Sequence, residues 1–191
     1  MRILHLFSVF WLSISLSANS PVLNKESITH PEVGLEGMVV TQHYLASEVG
    51  EAILNKGGNA YDATIAVAFA LAVVLPRAGN IGGGGFTVLY NSSDESFQSL
   101  DYREKAPLAA SKNMYLDKNG DVISNLSTLG YKAIAVPGTV DGMWELHKKY
   151  GSMDWKELIV PSIKLAKEGF KVSPLMADTL NRNYKSLSKF S

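Results

Sequence analysis

Hydrophobic residues recur along the chain with the two periods that distinguish helices from strands. The first helical period consists of four residues on one face: Leu45, Val49, Ala52 and Ile53. Gly57-Gly58 follows and supplies the left-handed conformation that ends a helix. Ahead of this helix, the sequence Met38-Val-Val-Thr41 predicts a first strand.

A second helix is predicted to begin at Asn59 or Asp62 and to include residues 63–75. These residues are apolar nearly all round, which predicts that the helix is buried on every side within its domain. A helix of about 13 residues is too short to span a membrane.

The second half of the chain returns to helical spacing. One predicted helix places four residues on a shared face: Val140, Met143, Trp144 and His147. Asp154 and Glu157 have the spacing of a capping box that starts the next helix. Pro161 is expected to break that helix, and a further helix is predicted over residues 162–168, ended by Gly169.

Residues 77–86 read R-A-G-N-I-G-G-G-G-F, and the four successive glycines Gly82 to Gly85 need a physical reason. Glycine lowers helix and strand stability, so a run of it indicates either positive φ angles or a close approach by another group. The run leads into β-rich sequence, which does not fit a Walker loop or a dinucleotide fingerprint. A flexible linker is the alternative, but linkers are usually polar, and the apolar flanks favour a tightly packed loop.

Alternating residues after the glycine run predict a β-hairpin. Its strands cover residues 86–90 and 97–102, and the polar residues 91–96 form the loop between them. Arg103 follows Phe86 by 17 residues, in the sequence D-Y-R-E-K-A-P. The hairpin would therefore return Arg103 to the glycine loop.

The N-terminus has the pattern of a secretory signal peptide over residues 1–18. Met1-Arg2 gives a charged start, and the mostly apolar run 3–16 is too short to span a bilayer comfortably. Small residues allow cleavage near Ser17 or Ala18, and an uncleaved membrane anchor is the alternative. The pattern predicts a periplasmic or secreted protein. Residues 19–35 form a polar, extended lead-in, and residues 36–191 make up one domain-sized region.

Composition excludes several classes of function. Lys and Arg number 18, as do Asp and Glu, so nothing indicates a nucleic-acid-binding surface. The chain of 191 residues has no cysteine, which excludes disulfides, a thiol nucleophile and thiolate metal ligands. His147 lies on a predicted buried face and is interpreted as a hydrogen-bonded structural residue. The other histidines lie in the signal peptide, the lead-in and a helix entrance, so they do not suggest a metal cluster.

Six motifs occur in order along the chain: Leu45-Ala-Ser-Glu48, Gly57-Gly-Asn-Ala-Tyr-Asp-Ala63, Pro76 to Phe86, Asp101 to Pro107, Val136-Pro-Gly-Thr-Val140 and Glu168-Gly-Phe. Together they resemble the gamma-glutamyltranspeptidase (glutathione hydrolase) family, especially its bacterial members. The resemblance covers about residues 36–184. It corresponds to the N-terminal part of the large subunit only.

The resemblance implies an α/β architecture, the αββα-layered fold of N-terminal-nucleophile hydrolases, incomplete in this chain. Family members are made as a precursor that cuts itself into a large and a small subunit. The new N-terminal threonine of the small subunit attacks the γ-glutamyl amide of glutathione and related compounds, and the acyl group passes to water, an amino acid or a peptide. That threonine would lie outside this chain, which alone is expected to be inactive. No metal or organic cofactor is implied.

Arg103 is the candidate substrate-binding residue. An arginine can hold a carboxylate through two parallel charge-assisted hydrogen bonds, which fix its orientation. The resemblance implies that Arg103 binds the α-carboxylate of the γ-glutamyl group, with Asp101 and Glu104 orienting the guanidinium. An internal ion pair with either acid is the alternative role of Arg103. At the level of function, a related acylase with a different pocket and a non-catalytic module are the alternatives.

Overall fold

The computed structural model describes residues 33–189. Two compact units are separated after Leu35, and the described helices and strands all lie in the second unit. The predicted signal peptide and residues 19–32 of the lead-in lie outside the described residues.

Five α-helices and one β-hairpin make up the regular structure of residues 36–189. In chain order they are α1 (Tyr44–Asn55), α2 (Ala60–Val74), β1 (Phe86–Asn91), β2 (Ser96–Asp101), α3 (Thr139–Tyr150), α4 (Trp155–Glu168) and α5 (Pro174–Leu187). A long segment between β2 and α3 has little regular structure beyond one 3-10 turn at Tyr131–Ala133.

Helix α2 is the centre of the packing and contacts α1, α3 and α4. Its buried side chains join two apolar clusters. The larger cluster contains Ile53, Ala63, Ile65, Ala66, Met143, Leu146 and Leu158, and the smaller contains Ala46, Ala70 and Val74. Six of the 15 residues of α2 are buried and most of the others are partly buried, so the helix is central to the packing but is not buried on every side as predicted.

The N-terminus of α2 begins with a capping box. The Asn59 side chain accepts hydrogen bonds from the N–H groups of Tyr61 and Asp62, each at 2.9 Å, and Asp62 accepts one from the Asn59 N–H at 3.0 Å. Of the two predicted start residues, Asn59 is thus the cap and Asp62 its partner. The Asn59 amide also donates to the Tyr150 carbonyl at 2.7 Å, which links α2 to the end of α3.

Asp62 connects α2 to the turn between α3 and α4. The carboxylate is 0% exposed, and it accepts hydrogen bonds from the Ser152 hydroxyl at 2.5 Å and the Ser152 N–H at 3.1 Å. Burial by itself raises the pKa of Asp62, but the hydrogen bonds from Ser152, Asn59 and Met153 outweigh it, so the pKa is lower than usual. A buried carboxylate is tolerated here because donors surround it.

Two predictions about the region of α1 are corrected by the structure, and a third is confirmed. Residues 38–41 do not form a strand, because a strand needs a paired neighbour and the described residues provide none. The buried residues of α1 are Ala46, Gly50 and Ile53, whereas Ala52 is exposed. The expected C-terminal glycine is confirmed, since Gly57 has a φ of 90°.

Helix α4 runs without a break through Pro161, so the predicted division into two helices is wrong. Proline removes one backbone donor, but burial of Leu158 and Ser162 on either side keeps the helix packed against the core. Asp154 caps α4 by accepting from the Lys156 N–H at 2.8 Å, and Glu157 does not complete the predicted box. Gly169 ends α4 with a φ of 76°, as expected.

The β-hairpin is confirmed with antiparallel pairing from Phe86 opposite Asp101 to Asn91 opposite Ser96. One face turns toward the helices and includes Leu89 and Leu100, which pack on the larger apolar cluster. The other face is exposed and carries Phe86, Val88, Tyr90 and Phe97. No helix within residues 33–189 has the length and apolar character needed to cross a membrane.

Candidate functional site

The glycine loop packs against the backbone that carries Arg103. A Cβ atom added to Gly84 would lie 2.5 Å from the Tyr102 carbonyl oxygen and 2.8 Å from the Arg103 Cα, closer than real atoms approach. The Gly85 carbonyl accepts a hydrogen bond from the Tyr102 N–H at 3.0 Å. The prediction of a tightly packed loop beside Arg103 is thus confirmed.

Close approach, not positive φ, explains the glycine run. None of the four glycines Gly82 to Gly85 has a φ in the left-handed region. Gly84 and Gly85 are limited by contact with Tyr102, whereas a Cβ on Gly82 would meet no atom of the described residues within 4 Å. The need for glycine therefore differs from one position of the run to the next.

Gly138, the N-cap of α3, and Gly142 within α3 also lie against Tyr102. A Cβ on Gly138 would lie 2.1 Å from the Tyr102 carbonyl oxygen, and one on Gly142 would lie 2.3 Å from the Tyr102 Cγ. The backbone of Tyr102 is therefore in close contact with both the glycine loop and the start of α3. Two further hydrogen bonds between the backbones of Lys105 and Val136, at 2.8 and 3.1 Å, continue this attachment.

Asn80 joins the glycine loop to α3 through a single oxygen atom. Its Oδ1 accepts from the Gly83 N–H at 2.8 Å and from the Thr139 hydroxyl at 2.8 Å. The Gly83 carbonyl in turn accepts from the N–H groups of Gly138 at 2.7 Å and Thr139 at 3.1 Å. Asn80, Gly83 and Thr139 thus form a closed ring of hydrogen bonds, which we call the clasp.

Arg103 leaves this enclosed backbone with an exposed side chain. Its N–H donates to Asp101 at 3.0 Å, its Nε donates to Glu104 at 2.9 Å, and its Cζ lies 5.7 Å from the centre of the Phe86 ring. The side chain is 60% exposed, and within residues 33–189 its two terminal nitrogens have no hydrogen-bond partner. These are the nitrogens that a two-pronged carboxylate contact requires.

Glu104 is the acid that orients the guanidinium. A hydrogen bond from its own backbone N–H and then the contact with Arg103 lower the pKa of this carboxyl, so Glu104 is ionised at neutral pH. The Asp101 carboxylate accepts a hydrogen bond from the backbone N–H of Arg103, and within residues 33–189 it forms no hydrogen bond with the Arg103 side chain. The alternative role, an ion pair, is present with Glu104, but it occupies Nε alone.

The remaining candidates have structural contacts. The His147 ring forms a hydrogen bond with the Met153 carbonyl at 2.9 Å and packs against Trp144 and Trp155, which agrees with the structural role predicted for it. His43 is the N-cap of α1 and accepts from the Leu45 N–H. No group of three or more potential metal-binding side chains occurs in the described part of the chain.

Arg103 lies on an open surface of residues 33–189. Two surface hollows, of about 290 and 440 Å³, are lined by other residues, and neither includes Arg103. Within the described residues, the Arg103 guanidinium is therefore open to solvent and is not enclosed by a hollow.

The profile of the family described as gamma-glutamyltranspeptidase matches residues 46–191. The chain belongs to the gamma-glutamyltranspeptidase family. It is 48% identical over 184 residues to the glutathione hydrolase proenzyme of Pseudomonas sp. (strain A14), covering 96% of this chain and 32% of that relative. The chain thus spans about a third of the length of this curated relative.

Solved structures of the gamma-glutamyltranspeptidase family share the fold. The Helicobacter pylori gamma-glutamyltranspeptidase superposes with a TM-score of 0.80 at 49% identity, over 85% of this chain and 46% of that one. A more distant structure, the cephalosporin acylase of Bacillus halodurans, has a TM-score of 0.67 at 26% identity over 87% of this chain and 31% of that one. The described residues accordingly form part of the αββα-layered fold of N-terminal-nucleophile hydrolases.

Sequence reasoning found Arg103 but missed Asn80 and Thr139. Asn80 stands two residues before the glycine run, where an asparagine side chain commonly bonds to nearby backbone N–H groups. That signal would have indicated its contact with Gly83. Its contact with Thr139, 59 residues further along the chain, had no sequence signal.

Proposed function

We propose that the protein containing this chain transfers or hydrolyses the γ-glutamyl group of glutathione and related compounds. The reaction passes through a threonine acyl-enzyme whose nucleophile lies outside this chain. Water, an amino acid or a peptide accepts the acyl group. The protein is made as a precursor that cleaves itself, and its small subunit completes the site.

The observation that supports this proposal best is the geometry of Arg103. Glu104 holds Nε, which leaves the two terminal nitrogens exposed and parallel for a carboxylate. A γ-glutamyl donor has an α-carboxylate at the end remote from the bond that is cleaved. Binding it at Arg103 would place the amide at a distance from the guanidinium that is set by the glutamyl side chain.

The names of the relatives support the same chemistry. The Pseudomonas relative is named a glutathione hydrolase proenzyme, and the word proenzyme accords with processing of a precursor. An acylase that takes a different acyl group is the second candidate, since a cephalosporin acylase shares this fold. Arg103 favours a substrate with an α-carboxylate over an uncharged acyl group.

The test compares two chromogenic anilides on the complete protein. One is γ-glutamyl anilide, and the other is 4-aminobutanoyl anilide, which has the same chain and amine but no α-carboxylate. We expect cleavage of the first with kcat/KM at least about a hundredfold above the second, because two charge-assisted hydrogen bonds are lost. Equal rates, or release of a β-lactam side chain in preference to both, would support the acylase instead.

We also propose that the protein is exported, on the basis of the charged start and apolar run of residues 1–16. N-terminal sequencing of the protein recovered from the periplasm or medium tests this proposal. A mature N-terminus close to Ala18 or Asn19 is expected, and retention of Met1 in an exported, membrane-bound product would support the anchor instead.

A further inference from the structure

The clasp is next to the backbone of Arg103, because Gly83 and Thr139 are the chain neighbours of Gly84 and Gly138, which contact the Tyr102–Arg103 peptide. The Gly83 N–H and the Thr139 hydroxyl share one acceptor, Asn80 Oδ1, at 2.8 Å each. Thr139 is 7% exposed, so water does not readily replace the hydrogen bond of its hydroxyl. Because the Gly83 carbonyl also bonds to the start of α3, the distance between the glycine loop and α3 is set by these contacts.

That distance decides where Arg103 lies. Gly84 of the loop and Gly138 at the start of α3 both lie against the Tyr102–Arg103 peptide, with no room for a Cβ at either glycine. A change in the spacing between the loop and α3 must therefore move or release this peptide. A functional side chain has to be held within about 0.5 Å of its productive position, so a small displacement matters.

We infer that Thr139 and Asn80 are positioning residues for the binding of the α-carboxylate by Arg103. The inference rests on the proposed function of Arg103 and adds two residues that do not contact the substrate. Their effect is on binding: the carboxylate keeps the same contacts in the bound substrate and in the transition state, so its loss raises KM and leaves kcat nearly unchanged.

The experiment uses Thr139→Val in the complete, processed protein. Valine has nearly the shape of threonine but lacks the hydroxyl, so one hydrogen bond of the clasp is removed without a cavity. We expect KM for γ-glutamyl anilide to rise about three- to tenfold, the loss that one buried hydrogen bond produces, with kcat within about twofold of wild type. Thr139→Ser keeps the hydroxyl and should restore KM to within about twofold of wild type.

Two comparisons separate positioning from a general loss of stability. Thr139→Val should cleave 4-aminobutanoyl anilide at the wild-type rate, because this substrate has no α-carboxylate for Arg103 to bind. Thr179→Val is the matched control: it removes a threonine hydroxyl that bonds to the Leu175 carbonyl at 2.8 Å on the exposed surface of α5. Its KM should equal that of wild type.

Several outcomes would overturn the inference. An unchanged KM in Thr139→Val, or an equal loss on both anilides, would leave Thr139 with a structural role only. If Thr139→Val yields no processed protein, Asn80→Ala provides the same comparison, because it removes the shared acceptor from a half-buried side chain. If that variant also fails to process, the clasp is a folding requirement and the inference is wrong. Wild-type protein inactive on γ-glutamyl anilide would refute the proposed function itself, and this inference with it.

Discussion

At the residue scale, Nε of Arg103 is bonded to Glu104, and the two terminal nitrogens have no hydrogen-bond partner among residues 33–189, which leaves them available for the proposed carboxylate contact. We predict that Arg103→Lys raises KM for γ-glutamyl anilide about ten- to hundredfold. Lysine is a point charge and cannot form the two parallel bonds, a loss of roughly 1.5 to 3 kcal/mol. Steady-state kinetics of the complete protein measure this change.

Self-cleavage should be largely intact in Arg103→Lys, because processing requires no bound glutamyl group. Subunit bands on a denaturing gel provide that comparison. Arg182→Lys on α5 is the matched control and should behave as wild type. Normal KM and turnover in a fully processed Arg103→Lys protein would show that the role of Arg103 is limited to its ion pair with Glu104.

Gly84 and Gly82 are two residues apart, yet their substitution by alanine should have different effects on stability. Gly84→Ala would place a Cβ 2.5 Å from the Tyr102 carbonyl, and we expect a loss of about 1 to 3 kcal/mol together with weaker substrate binding. Gly82→Ala meets no described atom within 4 Å and should change stability by no more than about 0.5 kcal/mol. Thermal melting of the two variants tests this difference, and similar melting temperatures would contradict it.

At the scale of elements, Asp62 connects α2 with the turn between α3 and α4. We predict that Asp62→Asn destabilises the complete protein by about 2 to 3 kcal/mol at pH 7. An asparagine can accept with its oxygen, but its NH₂ group would face the donors of Ser152 and Asn59. Denaturant unfolding measures the change, and Asp178→Asn on the exposed side of α5 serves as the control.

The pH dependence of this effect has a definite sign. The folded pKa of Asp62 is lowered, so its stabilisation is present above the unfolded pKa of about 3.9 and is lost as the pH falls through the folded pKa. The difference in stability between wild type and Asp62→Asn should therefore be constant near neutrality and shrink below about pH 4. A difference that grows on acidification would show that the pKa is raised instead.

At the scale of the whole molecule, the hairpin exposes an apolar face. Its four large side chains, Phe86, Val88, Tyr90 and Phe97, are between 53% and 77% exposed. Because the chain spans 46% of the Helicobacter pylori structure it resembles, the remainder of such a protein is available to cover this face. Contiguous apolar surface and unpaired strand edges promote association.

We therefore predict that residues 36–191 expressed alone aggregate or bind a hydrophobic dye strongly. Replacing Val88 and Phe97 by threonine should reduce both effects, since threonine keeps a high strand propensity. Size-exclusion chromatography and dye fluorescence are the measurements, and Val172→Thr, remote from the hairpin in sequence, is the control. A monodisperse wild-type segment with a cooperative melting transition would contradict the prediction.

Local signals were sufficient for most of the elements. The helical period of α1, the asparagine and aspartate at the start of α2 and the alternation of the hairpin are interactions between near neighbours, so they can be read from the sequence. The same is true of Gly57 and Gly169, which end helices. Propensity alone failed at Pro161, where packing of α4 on the core outweighs one missing hydrogen bond.

The amino-acid sequence by itself determined the family, the order of the elements and Arg103 as the candidate residue, because motifs and turn residues act over short distances. Only the tertiary structure decided why the glycines are required and what holds Arg103. The contact of Gly84 with Arg103, the bond from Thr139 to Asn80 and the burial of Asp62 against Ser152 join residues far apart in the chain. Such contacts depend on how several elements pack together, which no local pattern encodes.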